Sequence, residues 1–375
     1  MTSVISHNSS QHSSPITIVL PQLPPTICGV GDYTFNLVTA WSNISEFNYL
    51  VVRGLDESKA QYPQLAVHQL ECNKELFVSQ LKKLAPQQLL IQYSGYGFHS
   101  LGCPVWLSKA LTQWRKDNDG KLVIIFHELW HKSPWWNKHF LLQEGLHRWS
   151  IKRLASIADS IFTTTSDYVE WLKSFSPQAA VKLLPVGSNI VPNQQRSHCA
   201  TQPGVFVLFG MQGNRINTLQ QVQSEIKKLY NSGRLKKLLL IGGGNSEELE
   251  IVEKELLEKT LPHNTYSCIG IASNQTISTI LSQAEFGIST QSPQSFTKSG
   301  TFMAYAAHGL NILSPYASKQ SQKPFCWLTH PSEFEQHSDF LNNSLKERSR
   351  NLQLWYNDTC NWSVIAQEIK DAFTS

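Results

Sequence analysis

The sequence is short of several things, and each shortage excludes a class of protein. Only seven of its 375 residues are cysteine, at positions 28, 72, 103, 199, 268, 326 and 360. There is no CxxC pair and no His/Cys spacing suited to zinc, so no structural metal site is expected. An odd, unpatterned set points instead to reduced thiols and a cytoplasmic setting. No apolar run approaches the ~20 residues that a membrane-spanning helix needs. Charge of one sign is also scarce. With 32 basic and 28 acidic side chains, the net +4 is too small and too dispersed to imply nucleic acid as a partner. The first fourteen residues, MTSVISHNSSQHSS, lack the basic start and apolar core of a signal peptide and read as a disordered tail. Short internal repeats are missing too.

What the chain does have is alternation. Strand candidates in the first half are Ile16–Leu20, Tyr49–Val52, Leu89–Tyr93, Leu122–Phe126, Ser160–Thr164 and Val181–Pro185. Several are apolar at nearly every position, as parallel strands covered on both faces must be. Helical patterns between them cover Asp32–Trp41, Lys74–Leu84, Val105–Trp114, Asn137–Ile157 and Asp167–Ser174. Residues 186–204, polar and carrying Pro192 and Pro203, break the series. It restarts with strands at Val205–Phe209, Lys237–Ile241, Tyr266–Ile269, Phe286–Ser289 and Asn311–Ser314. Helices are expected over Asn217–Tyr230, Ser246–Lys259, Gln275–Ala284 and Trp362–Phe373. The expectation is an α/β protein of two doubly wound domains facing a cleft, where ligands of such folds sit.

Strand ends are where the chemistry concentrates. Gly29-Val30-Gly31 closes a Pro-rich loop after the first strand, and Asp32 is placed to cap the helix that follows. Thr34 stands where a GxGxxG fingerprint needs its third glycine, so nicotinamide is weakly supported. His127 directly follows a buried-looking strand. With Glu128 and His131 it spells HExxH, but Pro134 blocks the long helix that a zinc protease requires. Trp130, Trp135, Trp136 and Trp149 then mingle with Lys132, Lys138, Arg148, Lys152 and Arg153. That mixture suits a membrane surface or a lipid-linked acceptor, and equally a plain amphipathic helix with a solvated basic face.

In the second half Gly210, Gly213 and Asn214 form a loop after a strand, with Arg215 as a fixed positive charge able to grip a diphosphate. Gly243 lies in a second strand-ending Gly loop, 242–244, which continues to Asn245. The stretch 289–315 reads as strand end, polar loop, short helix and strand. Its Ser295, Thr297, Lys298, Ser299, Gly300 and Thr301 make an anion site of free N–H groups, helix dipole and lysine.

Taken in order, CGVGDYT (28–34), FHE (126–128), LPVGSNI (184–190), VLFG (207–210), LLLIGGG (238–244), AYAAHGLNIL (304–313) and NWSVIAQEI (361–369) resemble a GT-B glycosyltransferase of the broad retaining family 4. The resemblance covers nearly everything from Ile16 to Phe373. It implies a disordered tail (1–14), an acceptor-side Rossmann-like domain (15–190), a linker (191–203), a donor domain (204–358) and a terminal helix (359–375) crossing back to the first domain. It further implies transfer of a sugar from a nucleotide-diphosphate donor to a saccharide, lipid-linked or small-molecule acceptor, with retention and without metal or other cofactor. Peripheral contact with the inner face of a membrane is the expectation that the aromatic, basic stretch 130–153 adds. Gly29 to Gly31 would approach the donor, His127 the transferred sugar, and Arg215 the diphosphate. The family pattern also has two glutamates eight positions apart. Alignment on Gly309 puts Phe296 and Ala304 there, and no lysine follows Arg215 at the expected interval, leaving Lys298, Ser299 and Thr301 to compensate. The departures keep two other readings open: a non-catalytic glycosyltransferase-like partner or regulator, and a hydrolase or epimerase of the same nucleotide sugars.

Overall fold

The computed structural model describes residues 15–26, 28–41, 47–53, 66–129, 138–178, 180–193, 200–244, 246–335 and 338–374. The expected tail 1–14, His131, Trp130, Trp135, Trp136 and Asn245 lie outside them. The strands are β1 (Ile16–Leu20), β2 (Phe47–Val51), β3 (Ala66–Gln69), β4 (Gln88–Tyr93), β5 (Lys121–Phe126), β6 (Ser160–Thr163) and β7 (Ala180–Leu183). After them come β8 (Val205–Phe209), β9 (Lys237–Ile241), β10 (Tyr266–Gly270), β11 (Phe286–Ile288) and β12 (Asn311–Leu313). Every pairing between them is parallel.

Two compact units result. The first holds what is described up to Thr163, together with Tyr168–Leu183 and the chain from Ala366 onward. Its sheet has the order β3-β2-β1-β4-β5-β6-β7. The second comprises Thr164–Asp167 and Leu184–Ile365, around a sheet of order β10-β9-β8-β11-β12. In both sheets the strand order reverses beside the first strand, between β1 and β4 and between β8 and β11. That switch point leaves a crevice at the strands' carboxyl ends, where doubly wound sheets bind ligands.

The central strands read as they do because helices cover both faces. All five residues of β1 are buried, and so are five of the six in β4 and in β5. The edge strand β3 escapes the sequence pattern because only Val67 of its four residues is buried. The helix Ser338–Thr359 escapes it too, since its deeply buried residues, Leu345, Leu352 and Tyr356, are thinly spaced. Residues described within 191–203 pack on the second unit. Asn193 N donates to Ser278 Oγ at 3.3 Å, and Gln202 N to the Gln283 carbonyl at 2.8 Å. The LPVGSN segment is tied down within the same unit. Trp362 Nε1 donates to the Ser188 carbonyl at 2.8 Å, and a side chain at Gly187 would meet the Trp362 indole at 2.5 Å.

Candidate functional site

At the switch point of the first sheet, the loop after β1 enters the helix Gly29–Ala40. This helix begins at Gly29 with Cys28 as N-cap, so Asp32 sits in the first turn and does not cap it; its N–H donates to the Cys28 carbonyl at 2.9 Å. Burial raises the Asp32 carboxyl above its ordinary value. Gly31 is obligatory here, because a Cβ would lie 2.6 Å from the Gln22 carbonyl oxygen. Gly29, by contrast, is exposed, and a Cβ there would meet nothing within 4 Å among the described residues; Val30 is half-buried.

His127 follows β5 and is 7% exposed. Its Nε2 lies 2.7 Å from Gln92 Oε1, and the Tyr33 ring meets it edge-on with centroids 4.8 Å apart. Because an amide oxygen can only accept, Nε2 is the donor in this bond. Gln92 Nε2 is itself buried with no hydrogen-bond partner among the described residues. A buried amide donor beside a histidine is costly to leave unpaired, and a ligand oxygen would satisfy it. Sequence reasoning missed Gln92, though a glutamine inside the apolar run LLIQY is a signal.

In the second unit the two Gly loops close on each other. Gly242 has φ 121°, and a Cβ there would stand 2.2 Å from the Gly210 carbonyl, so only glycine fits. The helix expected from Asn217 starts at Gln212 and runs to Asn231, which puts Gly213 and Asn214 in its exposed first turn and out of the loop. Arg215 is 4% exposed. Its Nε and Nη2 donate to the two carboxylate oxygens of Glu253 at 2.7 and 2.8 Å, and its Nη1 donates to the carbonyls of Gly210 at 2.7 Å and Gly242 at 2.9 Å. A guanidinium gripping a diphosphate must offer its fork to the ligand; this one spends its fork on Glu253. Arg215 is therefore placed to hold the two loops together.

Beside these loops opens a cavity of about 770 Å³, with Gln212, Gly244, Glu250 and Cys268 in its lining. Gln212 is 5% exposed, and its Oε1 is buried without a hydrogen-bond partner among the described residues. A Cβ added at Gly243 would meet the Ile271 side chain at ordinary contact distance.

The loop after β11, expected to hold an anion, lies at the switch point of the second sheet. Ser295 Oγ bonds Gln291 Oε1 at 3.2 Å, and the carbonyl of buried Thr297 accepts from Val186 N at 2.9 Å. Ser299 caps the helix Gly300–Ala307 by accepting from Phe302 N at 3.2 Å. Thr301 Oγ1 donates to the Phe209 carbonyl at 3.3 Å and would touch a Cβ at Gly210, also at 3.3 Å. Tyr305 OH accepts from Phe209 N at 2.8 Å, which pins the helix to β8. Lys298 and Gly300 are exposed. Structure therefore gathers Gly210, Ser299, Gly300 and Thr301 around one helix N-terminus. Phe296 and Ala304 face inward: Phe296 packs against Phe302, Phe325 and Trp355, and Ala304 is fully buried.

His308 ends this helix, with Nδ1 2.7 Å from the Ala304 carbonyl and Nε2 3.0 Å from Ser278 Oγ. Burial lowers its pKa below the ordinary 6.5. The unfolded chain thus binds a proton that the native one resists. Stability is complete above about pH 6.5 and falls as pH drops below it. Urea unfolding across that range should show the loss, and His308→Gln should flatten it.

No protein-family profile and no curated protein sequence matches the chain. Solved structures do. A glycosyltransferase from Rickettsia africae superposes with a TM-score of 0.65 at 12% identity, covering 96% of this chain and 98% of its own. The sucrose-phosphate synthase of Thermosynechococcus elongatus gives 0.62 at 12%, covering 96% and 98%. Anabaena HepE, solved in complex with UDP and glucose, gives 0.62 at 12%, covering 97% and 100%. The likeness is one of fold, and the fold is of the GT-B type, with two Rossmann-like units in one chain.

Proposed function

We propose that the protein transfers a sugar from a nucleotide-diphosphate donor to a sugar-containing acceptor. One observation carries the reading: the capped N-terminus of helix Gly300–Ala307, with Lys298 just before it, stands against the Gly210 loop at the switch point of the second sheet. Free N–H groups, the helix dipole and a lysine there suit a diphosphate. The 770 Å³ cavity at Gly242 and Gly244 has room for a nucleoside, and UDP and glucose are bound by HepE, which shares the fold. In this scheme the second unit holds the donor and the first the acceptor. His127, its proton held on Nε2 by Gln92, positions the reacting sugar. Lys298 and the N–H groups of Gly300 and Thr301 stabilise charge developing on the departing diphosphate, without a metal and with retention at the anomeric carbon.

Thermal shift against nucleoside diphosphates and their sugar conjugates tests it. A true donor at about 100 times its Kd should stabilise the fold by roughly 2.7 kcal/mol. With that donor, product NMR reads the anomeric outcome, and turnover that EDTA abolishes would remove the metal-free scheme. No shift across the panel would sink the proposal.

A second reading rests on Phe296 and Ala304. Apolar core occupies both positions where the family pattern has carboxylates, as in a non-catalytic binding or regulatory protein. Donor binding without transfer or hydrolysis would favour it. Donor breakdown with no acceptor present would instead indicate a hydrolase or epimerase.

A further inference from the structure

Helix Lys138–Ala155 has one face inside and one outside. His147, Ser150, Ile151, Leu154 and Ala155 are buried, whereas Leu142, Leu146 and Trp149 are 67%, 42% and 44% exposed. Their spacing of four and three residues sets them in a single stripe on the outer face. Scattered exposed apolar residues are ordinary, but an aligned stripe ending in Lys152 and Arg153 is an amphipathic face turned outward.

Next to it lies helix Val105–Asp117, tied across by Arg153 Nε donating to Thr112 Oγ1 at 3.1 Å. Between them is a groove of about 310 Å³ that collects Lys74, Lys109, Lys116 and Arg153 together with Trp149. No carboxylate is among its described lining residues. The acids nearby offset only part of this charge. Asp117 accepts from Gln113 Nε2 at 3.0 Å, Glu144 pairs with Arg148 at 2.6 Å, and exposed Glu75 lies 3.9 Å from the groove's own Lys74, a solvent-screened contact. Four cations around one groove beside an apolar stripe match an anionic surface that also has an apolar interior. A nucleic acid would use the cations and leave Leu142 and Leu146 without a purpose.

We infer that this face of the first unit docks onto an anionic lipid bilayer. Leu142, Leu146 and Trp149 enter the boundary between headgroups and acyl chains, and Lys74, Lys109, Lys116 and Arg153 pair with lipid phosphates. Among the described residues no helix is long and apolar enough to cross a membrane, so the contact is peripheral. The inference stands whether or not the protein transfers sugar.

Flotation of the full chain with phosphatidylcholine vesicles, with and without phosphatidylglycerol, tests it. Binding is expected only where phosphatidylglycerol is present, and should weaken as salt is raised. Lys109→Ala with Lys116→Ala should weaken it about 30-fold, from ~1 kcal/mol per cation. Leu142→Ser with Trp149→Ser should weaken it at least about tenfold, with the thermal midpoint used to confirm an intact fold. Three results would overturn the inference: no vesicle binding, equal binding to neutral vesicles, or loss with the lysine pair but none with the apolar pair. The last would mark a soluble-polyanion site, which titration with duplex DNA would then reveal.

Discussion

Replacing Arg215 with alanine is expected to lower the free energy of unfolding by about 3–5 kcal/mol. The guanidinium and the Glu253 carboxylate are 5% and 6% exposed, and their two hydrogen bonds are 2.7 and 2.8 Å long. Removal of one partner leaves a nearly buried carboxylate at the cavity wall without its counter-charge, and the Gly210 and Gly242 carbonyls lose their shared donor. For a unit of this size each kcal/mol moves the midpoint by roughly 2–4 °C, so a fall of roughly 6–20 °C follows. Arg215→Lys should recover little, because one ammonium cannot serve a carboxylate fork and two carbonyls at once. Glu253→Gln should be destabilising as well, by leaving the arginine charge buried. Urea denaturation decides the matter. A drop under about 1 kcal/mol, with a large loss of nucleotide affinity, would return Arg215 to the ligand.

Lys298→Ala should leave stability nearly unchanged, since the residue is exposed. Turnover with the donor found by thermal shift should nevertheless fall by about 10²–10³-fold, the usual effect of removing one group that stabilises developing charge. Most of that loss belongs in kcat, because the leaving diphosphate gains charge only as the glycosidic bond breaks. Steady-state rates of nucleotide release, with ligand affinity measured separately, separate the two contributions. Unchanged turnover would remove Lys298 from the site. An equal loss in affinity and none in kcat would make it a binding residue only.

The backbone plan was largely legible beforehand. Runs such as ITIVL and KLVIIF are apolar at successive positions because helices cover both faces, and β1, β8 and β9 keep the limits expected of them. Glycines at strand ends were legible too, although contact with Gly210 is by itself enough to require glycine at 242. Legibility ended where one element needed another to be understood. The edge strand β3 lacks an apolar run because only one of its residues is buried. Asp32 looked like a cap because the helix start was read three residues late.

By itself, the sequence determined the alternating strands and helices, the parallel sheets and the loops that could hold an anion. These follow from local periodicity and from the conformations that glycine and proline permit. Only the tertiary structure decided which polar groups face a ligand. Arg215 and Glu253 are 38 positions apart, and nothing local says that a buried carboxylate will claim the guanidinium. Gln92 and His127 are 35 apart, and they form a pair because β4 and β5 lie side by side in register. A side chain's charge is written in the chain; whether it is spent on a neighbour or left for a substrate is settled by packing, because burial without a partner costs more than any local preference returns.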